Sequence, residues 1–105
     1  MRGGVTEHRG ELRVGADDPC LEGHFPGRPL VPAAAILDRL AAWLEAVSGA
    51  AVAGVARARF PAALTPGTTW QLHAEAPAQG RCKVTCRHDG AVAARVTFVL
   101  ADPAP

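Results

Sequence analysis

The side chains able to do acid–base chemistry gather in one window of the chain. His24 stands in the loop Gly23-His24-Phe25-Pro26-Gly27-Arg28-Pro29, and a single carboxylate, Asp38, follows on an otherwise apolar stretch apart from Arg39. Glycine freedom and proline rigidity alternate around that imidazole, a composition able to hold one side chain still. Neutral imidazole predominates at neutral pH and is a natural base. Pro32 has no N–H to lose and its φ suits a first helical position, while Ala33-Ala34-Ala35 favours helix. A helix is therefore predicted to start near Pro32. Its first turn carries no Ser, Thr, Asp or Asn, so the N–H groups near Ala33 and Ala34, at the positive end of the helix dipole, stay open to an outside acceptor. A carbonyl becoming an enolate suits that place. Asp38 falls between Leu37 and Leu40, where a carboxylate is costly unless it is paired or has a task. In an apolar pocket desolvation would favour its protonated form and let it act as an acid. The window thus offers a base for a weakly acidic α-proton, donors for charge on a carbonyl oxygen, and an acid for a departing hydroxyl.

Other chemical groups have simpler readings. Cys82, Cys86 and His88 lie close in sequence, but two cysteines four apart on one strand face read as small core residues, and no metal site is expected. Cys20 precedes His24 by four positions without an evident third group to orient a thiolate. Glu22 reads as a solvated loop carboxylate, and His8, His73 and Glu75 as exposed strand residues. Asp38 has its own structural alternative, a helix-face charge set beside Arg39 or Glu45. Arg28, Arg57 and Arg59 fit either a solvated face or a surface that meets an acidic protein.

The elements that must position these groups follow from periodicity. Val5 to Val14 reads as an edge strand, and Gly15 to Pro19 as the turn leading into the loop. Ala33 to about Ser48 carries Ile36, Leu37, Leu40, Leu44 and Val47 at helical spacing, with Gly49 as its stop. Its many alanines permit close approach by a sheet, a second subunit or an acyl chain. The period then changes to two. Val52 to Phe60 is a strand, Thr65-Pro66-Gly67 a turn, and Trp70, Leu72 and Ala74 line one face of the next strand. Pro77 to Gly80 turns the chain again, Cys82, Val84 and Cys86 share a face, and His88-Asp89-Gly90 is a hairpin signal. The last strand sets Val92, Ala94, Val96, Phe98 and Leu100 on one face. Strand, helix, then four antiparallel strands is an α+β order in which a sheet wraps one long central helix.

Composition narrows the functional classes. The 105 residues suit one domain, 1–105, with a core of about 11–101 and the ending ADPAP as a frayed tail. A net charge of +1 argues against nucleic acid as partner. No apolar run has the length of a membrane span, and MRGGVTEHRG lacks the apolar core of a signal peptide, so a cytoplasmic location is expected and the three cysteines read as reduced thiols.

The stretch GHFPGRPLVPAAAILD resembles the signature of the hotdog-fold 3-hydroxyacyl-[acyl-carrier-protein] dehydratases, GHFPxxPxxPGxxxxE or the same with D. The match holds at Gly23, His24, Phe25, Pro26, Pro29, Pro32 and Asp38 with the histidine-to-acid spacing unchanged. The acid is Asp, as in the FabA-type branch and the short dehydratases of aryl-polyene clusters. The short form before the first strand makes the aryl-polyene type the nearer comparison. One position departs, since Ala33 stands where the family has Gly. If Ala33 is helical its N–H is kept; if it needs positive φ it is strained. RFPAALTPGTTWQL also resembles the family's KFxxPVxPGDxL. The resemblance implies a single hotdog domain, His24 and Asp38 as catalytic pair, and Phe25, Pro32, Ala33 and Ala34 at the substrate. It further implies no cofactor, and an acyl chain on the phosphopantetheine of an acyl carrier protein. By the same resemblance, each histidine meets the acid of a partner subunit, in a homodimer or a heterodimer. Two alternatives are a hotdog acyl thioesterase, with Asp38 or Glu45 activating water, and a non-catalytic partner subunit of a heterodimeric dehydratase.

Overall fold

The computed structural model describes residues 6–21 and 30–101. Strand β1, His8–Arg13, is followed by a short 3₁₀ turn, Pro19–Leu21, and by helix α1, Ala33–Ser48. Four strands complete the chain: β2, Val52–Arg59; β3, Thr69–Ala74; β4, Arg81–His88; and β5, Ala91–Leu100. They form one antiparallel sheet in the order β1-β3-β4-β5-β2. The expected α+β architecture is therefore present, with the helix and the sheet enclosing one core. Val5, the expected start of the first strand, lies outside the described residues.

The helix ends where glycine allows it. Gly49 takes φ 76° and its N–H returns to the Glu45 carbonyl at 2.9 Å, a left-handed cap that closes the last turn. Of the expected apolar stripe, Ile36, Leu40 and Leu44 are buried and Leu37 is half-buried. Val47, in the last turn, is instead 37% exposed.

Alternation holds on β3 and along most of β4 and β5, where Thr85 and Ala93 are also buried and the expected Val92 and Leu100 are half-buried. Trp70, Leu72 and Ala74 of β3, Cys82, Val84 and Cys86 of β4, and Ala94, Val96 and Phe98 of β5 all face the helix and are buried. The β4–β5 hairpin turns through Asp89 at φ 47° and Gly90 at φ 81°, the paired positive dihedrals that match the sheet's twist. β2 is less regular. Its pairing with β5 shifts between Val52 and Gly54 and again between Val55 and Arg57, so Ala56 is exposed while Ala58, two positions on, is half-buried.

Candidate active site

Helix α1 begins as its sequence requires. Pro32 is the N-cap residue at φ −63°, ψ 148°, and no side chain caps the turn. The Ile36 N–H reaches the Pro32 carbonyl at 3.1 Å, which leaves the earlier N–H groups of Ala33, Ala34 and Ala35 without helical partners. Ala33 is the first helical residue, and Gln79 and Asp89 are the non-glycine residues with positive φ among those described. Alanine thus keeps the N–H at this position without strain. The helix start is tied to the β2–β3 connection by the Val31 N–H, which donates to the Leu64 carbonyl at 3.0 Å.

An apolar groove of about 360 Å³ borders this helix end. Val31, Pro32, Ala33 and Ile36 form one wall, and Phe60 to Leu64, the connection from β2 to β3, forms the other. Of the expected substrate-contacting residues, Pro32 and Ala33 line it, whereas Ala34 is exposed on the adjacent helix face. Phe60 and the Pro61-Ala62-Ala63 segment were not among the expected site residues. Their signal was present in RFPAALTPG, the weaker stretch of family resemblance, which carries no titratable side chain beyond Arg59.

Asp38 is exposed, and no apolar pocket encloses it among the described residues. It shares a helix face with Ala34 and Ala42, one turn before and after, both also exposed. Neither neighbour weighed as its structural partner pairs with it. Arg39 Nη2 instead donates to Asp18 Oδ2 at 2.6 Å, and Glu45 Oε2 accepts the Val52 N–H at 2.8 Å. Asp18 Oδ1 also accepts the Cys20 N–H at 3.0 Å. The hydrogen bonds from Cys20, backbone first, and then the Arg39 charge hold the Asp18 carboxyl below its ordinary range. This pair fastens the segment that leads to residue 22 onto the helix carrying Asp38. His24, Phe25, Glu22 and Arg28 lie outside the described residues.

The remaining nucleophilic groups are placed as structural residues. Cys82 and Cys86 are buried in the core, and burial pushes the Cys86 thiol up to about 11. Cys20 is half-buried, its thiol raised first by desolvation and then by Asp18. His88 Nδ1 lies 3.1 Å from the Thr69 carbonyl. His73 pairs with Glu7 on the outer face. No group of metal-binding side chains occurs among the described residues, and no helix there is long and apolar enough to cross a membrane.

The family model described as ApeI-like, the ApeI dehydratase, matches residues 3–96 of the chain. The chain belongs to the ApeI-like dehydratases. Among curated proteins it is 32% identical to the 3-hydroxyacyl-[acyl-carrier-protein] dehydratase FabZ of Chloroflexus aggregans, over 90% of this chain and 76% of that one. It is 34% identical to the FabZ of Deinococcus radiodurans, over 84% and 69% of the respective chains. Among solved structures, a chain of the dehydratase heterocomplex ApeI:P from Xenorhabdus doucetiae superposes with a TM-score of 0.80 at 20% identity, covering 97% of this chain and 93% of its own. That likeness establishes the hotdog fold: the five-stranded sheet and single helix of this ApeI-like dehydratase are its elements.

Proposed function

We propose that this ApeI-like dehydratase removes water from a 3-hydroxyacyl thioester carried on an acyl carrier protein, giving the trans-2-enoyl thioester during assembly of a fatty-acid or polyene chain. The observation that carries this reading is the uncapped start of α1, with the N–H groups of Ala33 and Ala34 free at the end of an apolar groove. Neutral His24 takes the α-proton. As charge moves onto the thioester oxygen, the Ala33 and Ala34 N–H groups and the helix dipole hold it. Asp38 protonates the departing hydroxyl, which leaves as water. The proton taken by His24 returns to solvent and Asp38 is reprotonated, so no cofactor is consumed. Phe25, Pro32 and the groove wall receive the acyl chain.

The site is completed by a second subunit in this reading. Asp38 stands on an exposed helix face flanked by Ala34 and Ala42, small enough for close approach of another chain. β2 offers an unpaired edge with Val55 45% exposed, and Phe60 just beyond it is 37% exposed. A partner seated there would desolvate Asp38 and favour its protonated form. A thioesterase has no need of the histidine loop, which favours the lyase.

The test is turnover of 3-hydroxyacyl and trans-2-enoyl carrier protein by wild type, His24→Ala, Asp38→Asn and a refolded equimolar mixture of the two variants. Each variant alone should lose at least about 100-fold in rate. In the mixture half of the dimers are hybrids, and each hybrid holds one intact site of two, so activity should return to roughly a quarter of wild type. No recovery would refute the shared site. No turnover by a well-folded wild-type dimer would assign the chain instead to the non-catalytic half of a heterodimer.

A further inference from the structure

The sheet surface turned away from α1 carries a concentration of positive charge that the dehydration chemistry does not use. Arg57 and Arg59 of β2, Arg95 and Thr97 of β5, and Lys83 of β4 line a shallow groove of about 400 Å³. The register sets Arg59 opposite Arg95, Arg57 opposite Thr97, and Thr97 opposite Lys83. All four cations are exposed, and none has an ion-pair partner among the described residues. The three strands contain no Asp or Glu, yet they hold six of the chain's eleven Lys and Arg residues. Although the net charge of the chain is only +1, more than half of its cations lie on these three adjacent strands. Like charges placed directly across a strand pair cost stability, so the Arg59–Arg95 pairing is not what an indifferent solvated surface favours.

We infer that this groove is the docking surface for an acidic protein, the carrier that presents the thioester; this rests on the function proposed above. Four cations on three adjacent strands create a potential that draws an acidic surface into encounter. The groove has no aromatic side chain on which a base could stack, which disfavours single-stranded nucleic acid. A second copy of this chain would set cation against cation. Continuity with the candidate active site supports the carrier: Arg59 lines the basic groove, and the next residue, Phe60, lines the apolar groove at the start of α1. A carrier seated on the cations therefore rests beside the end of β2 that leads to the helix N-terminus.

The test uses Lys83→Glu combined with Arg95→Glu, since both exposed residues lie on inner strands and leave the β2 edge untouched. Turnover is compared for 3-hydroxybutyryl carrier protein and for 3-hydroxybutyryl N-acetylcysteamine, a thioester with no protein attached, at low and high salt. On the carrier-linked substrate kcat/KM should fall about 10-fold or more at low salt and lose most of its salt dependence. The small thioester should be turned over as by wild type. Equal loss on both substrates, no loss on the carrier, or a changed oligomeric mass would overturn the docking surface. Anisotropy of labelled carrier protein separates this outcome from failure of the dehydratase reading. A wild type that turns over neither substrate yet binds the carrier about 10-fold tighter than the variant keeps the surface and discards the reaction. Carrier binding that the substitutions leave unchanged, or weakened binding of anionic vesicles without weakened carrier binding, discards the surface. Arg57→Gln with Arg59→Gln repeats the test by charge removal from the other strand.

Discussion

Gly10 of β1 lies beneath the indole of Trp43 on α1, and the contact fixes how near strand and helix can come. A Cβ placed on Gly10 would sit 2.5 Å from Trp43 Nε1, 2.9 Å from Cε2 and 3.1 Å from Cζ2. Non-bonded heavy atoms settle near 3.5–4.0 Å, so in Gly10→Ala the ring has to retreat by about 1 Å. The half-buried Trp43 packs against the core cluster, and overfilling of this kind costs about 1–3 kcal/mol. Against that, losing a glycine removes freedom from the unfolded chain and returns about 0.4–1 kcal/mol. Overpacking wins, and the expected net loss is about 1–2 kcal/mol, or about 5–10 °C in Tm. Urea unfolding followed by far-UV circular dichroism measures it, at one fixed protein concentration because association would shift the midpoint. The decisive control is Trp43→Leu. Without the ring the same Gly10→Ala change should be neutral or stabilising by about 0.4–1 kcal/mol, giving a coupling of about 1–3 kcal/mol in the cycle. A Gly10→Ala protein as stable as wild type, or one losing equally in both backgrounds, would refute the argument that this glycine is required by the approach of Trp43.

Two further outcomes follow from the titratable groups. Because hydrogen bonds from Cys20 and then the Arg39 charge hold the folded Asp18 carboxyl below its unfolded value, these contacts contribute stability above the ordinary carboxylate range and lose it as pH falls through the lowered folded value. Asp18→Asn should therefore unfold at a lower urea concentration than wild type at pH 7, with the gap closing on acidification towards pH 3; a gap independent of pH would show that the charge is idle. The cysteines should separate by burial: iodoacetamide at pH 8, read by mass spectrometry, should alkylate the half-buried Cys20 before Cys82 or Cys86, whose core position leaves Cys86 at about 11. Equal labelling of all three thiols in the folded protein would contradict the core described above.

Much of the fold was legible because local chemistry fixes it. Pro32 and Gly49 bound the helix, Asp89-Gly90 sets the hairpin, and the alternation of Trp70, Leu72 and Ala74 names the buried face. What periodicity cannot supply is adjacency. Alternation tells which side of β2 faces the core, not that β2 pairs with β5 at the sheet's edge, nor that bulges displace Ala56. The Arg39–Asp18 pair joins positions 21 residues apart, and no spacing rule selects it over the sequence neighbour Asp38. The chemistry of the site divides in the same way. The free helix N-terminus was readable from the absence of a capping side chain, whereas the opposite groove wall from Phe60 to Leu64 consists of apolar and small residues that announce no task.

The two edges of the sheet differ in how open they are to another chain. β1 exposes Arg9, Glu11 and Arg13 along its outer edge, alternating charges that discourage another strand from adding there. β2 is longer, and its first half exposes Ala53, Val55 and Ala56 with no charge before Arg57. An edge left this open invites pairing, and proteins that do not use such an edge blunt it. The chain blunts one edge and not the other, which favours β2 as the side where a second subunit joins in the proposed shared site. A carboxylate that meets a partner subunit, as proposed for Asp38, is best kept exposed until assembly. Buried within the lone chain, Asp38 would cost folding free energy that no partner offsets; in the proposed shared site it would be desolvated only on association, in the same step that would bring the other chain's His24 to it.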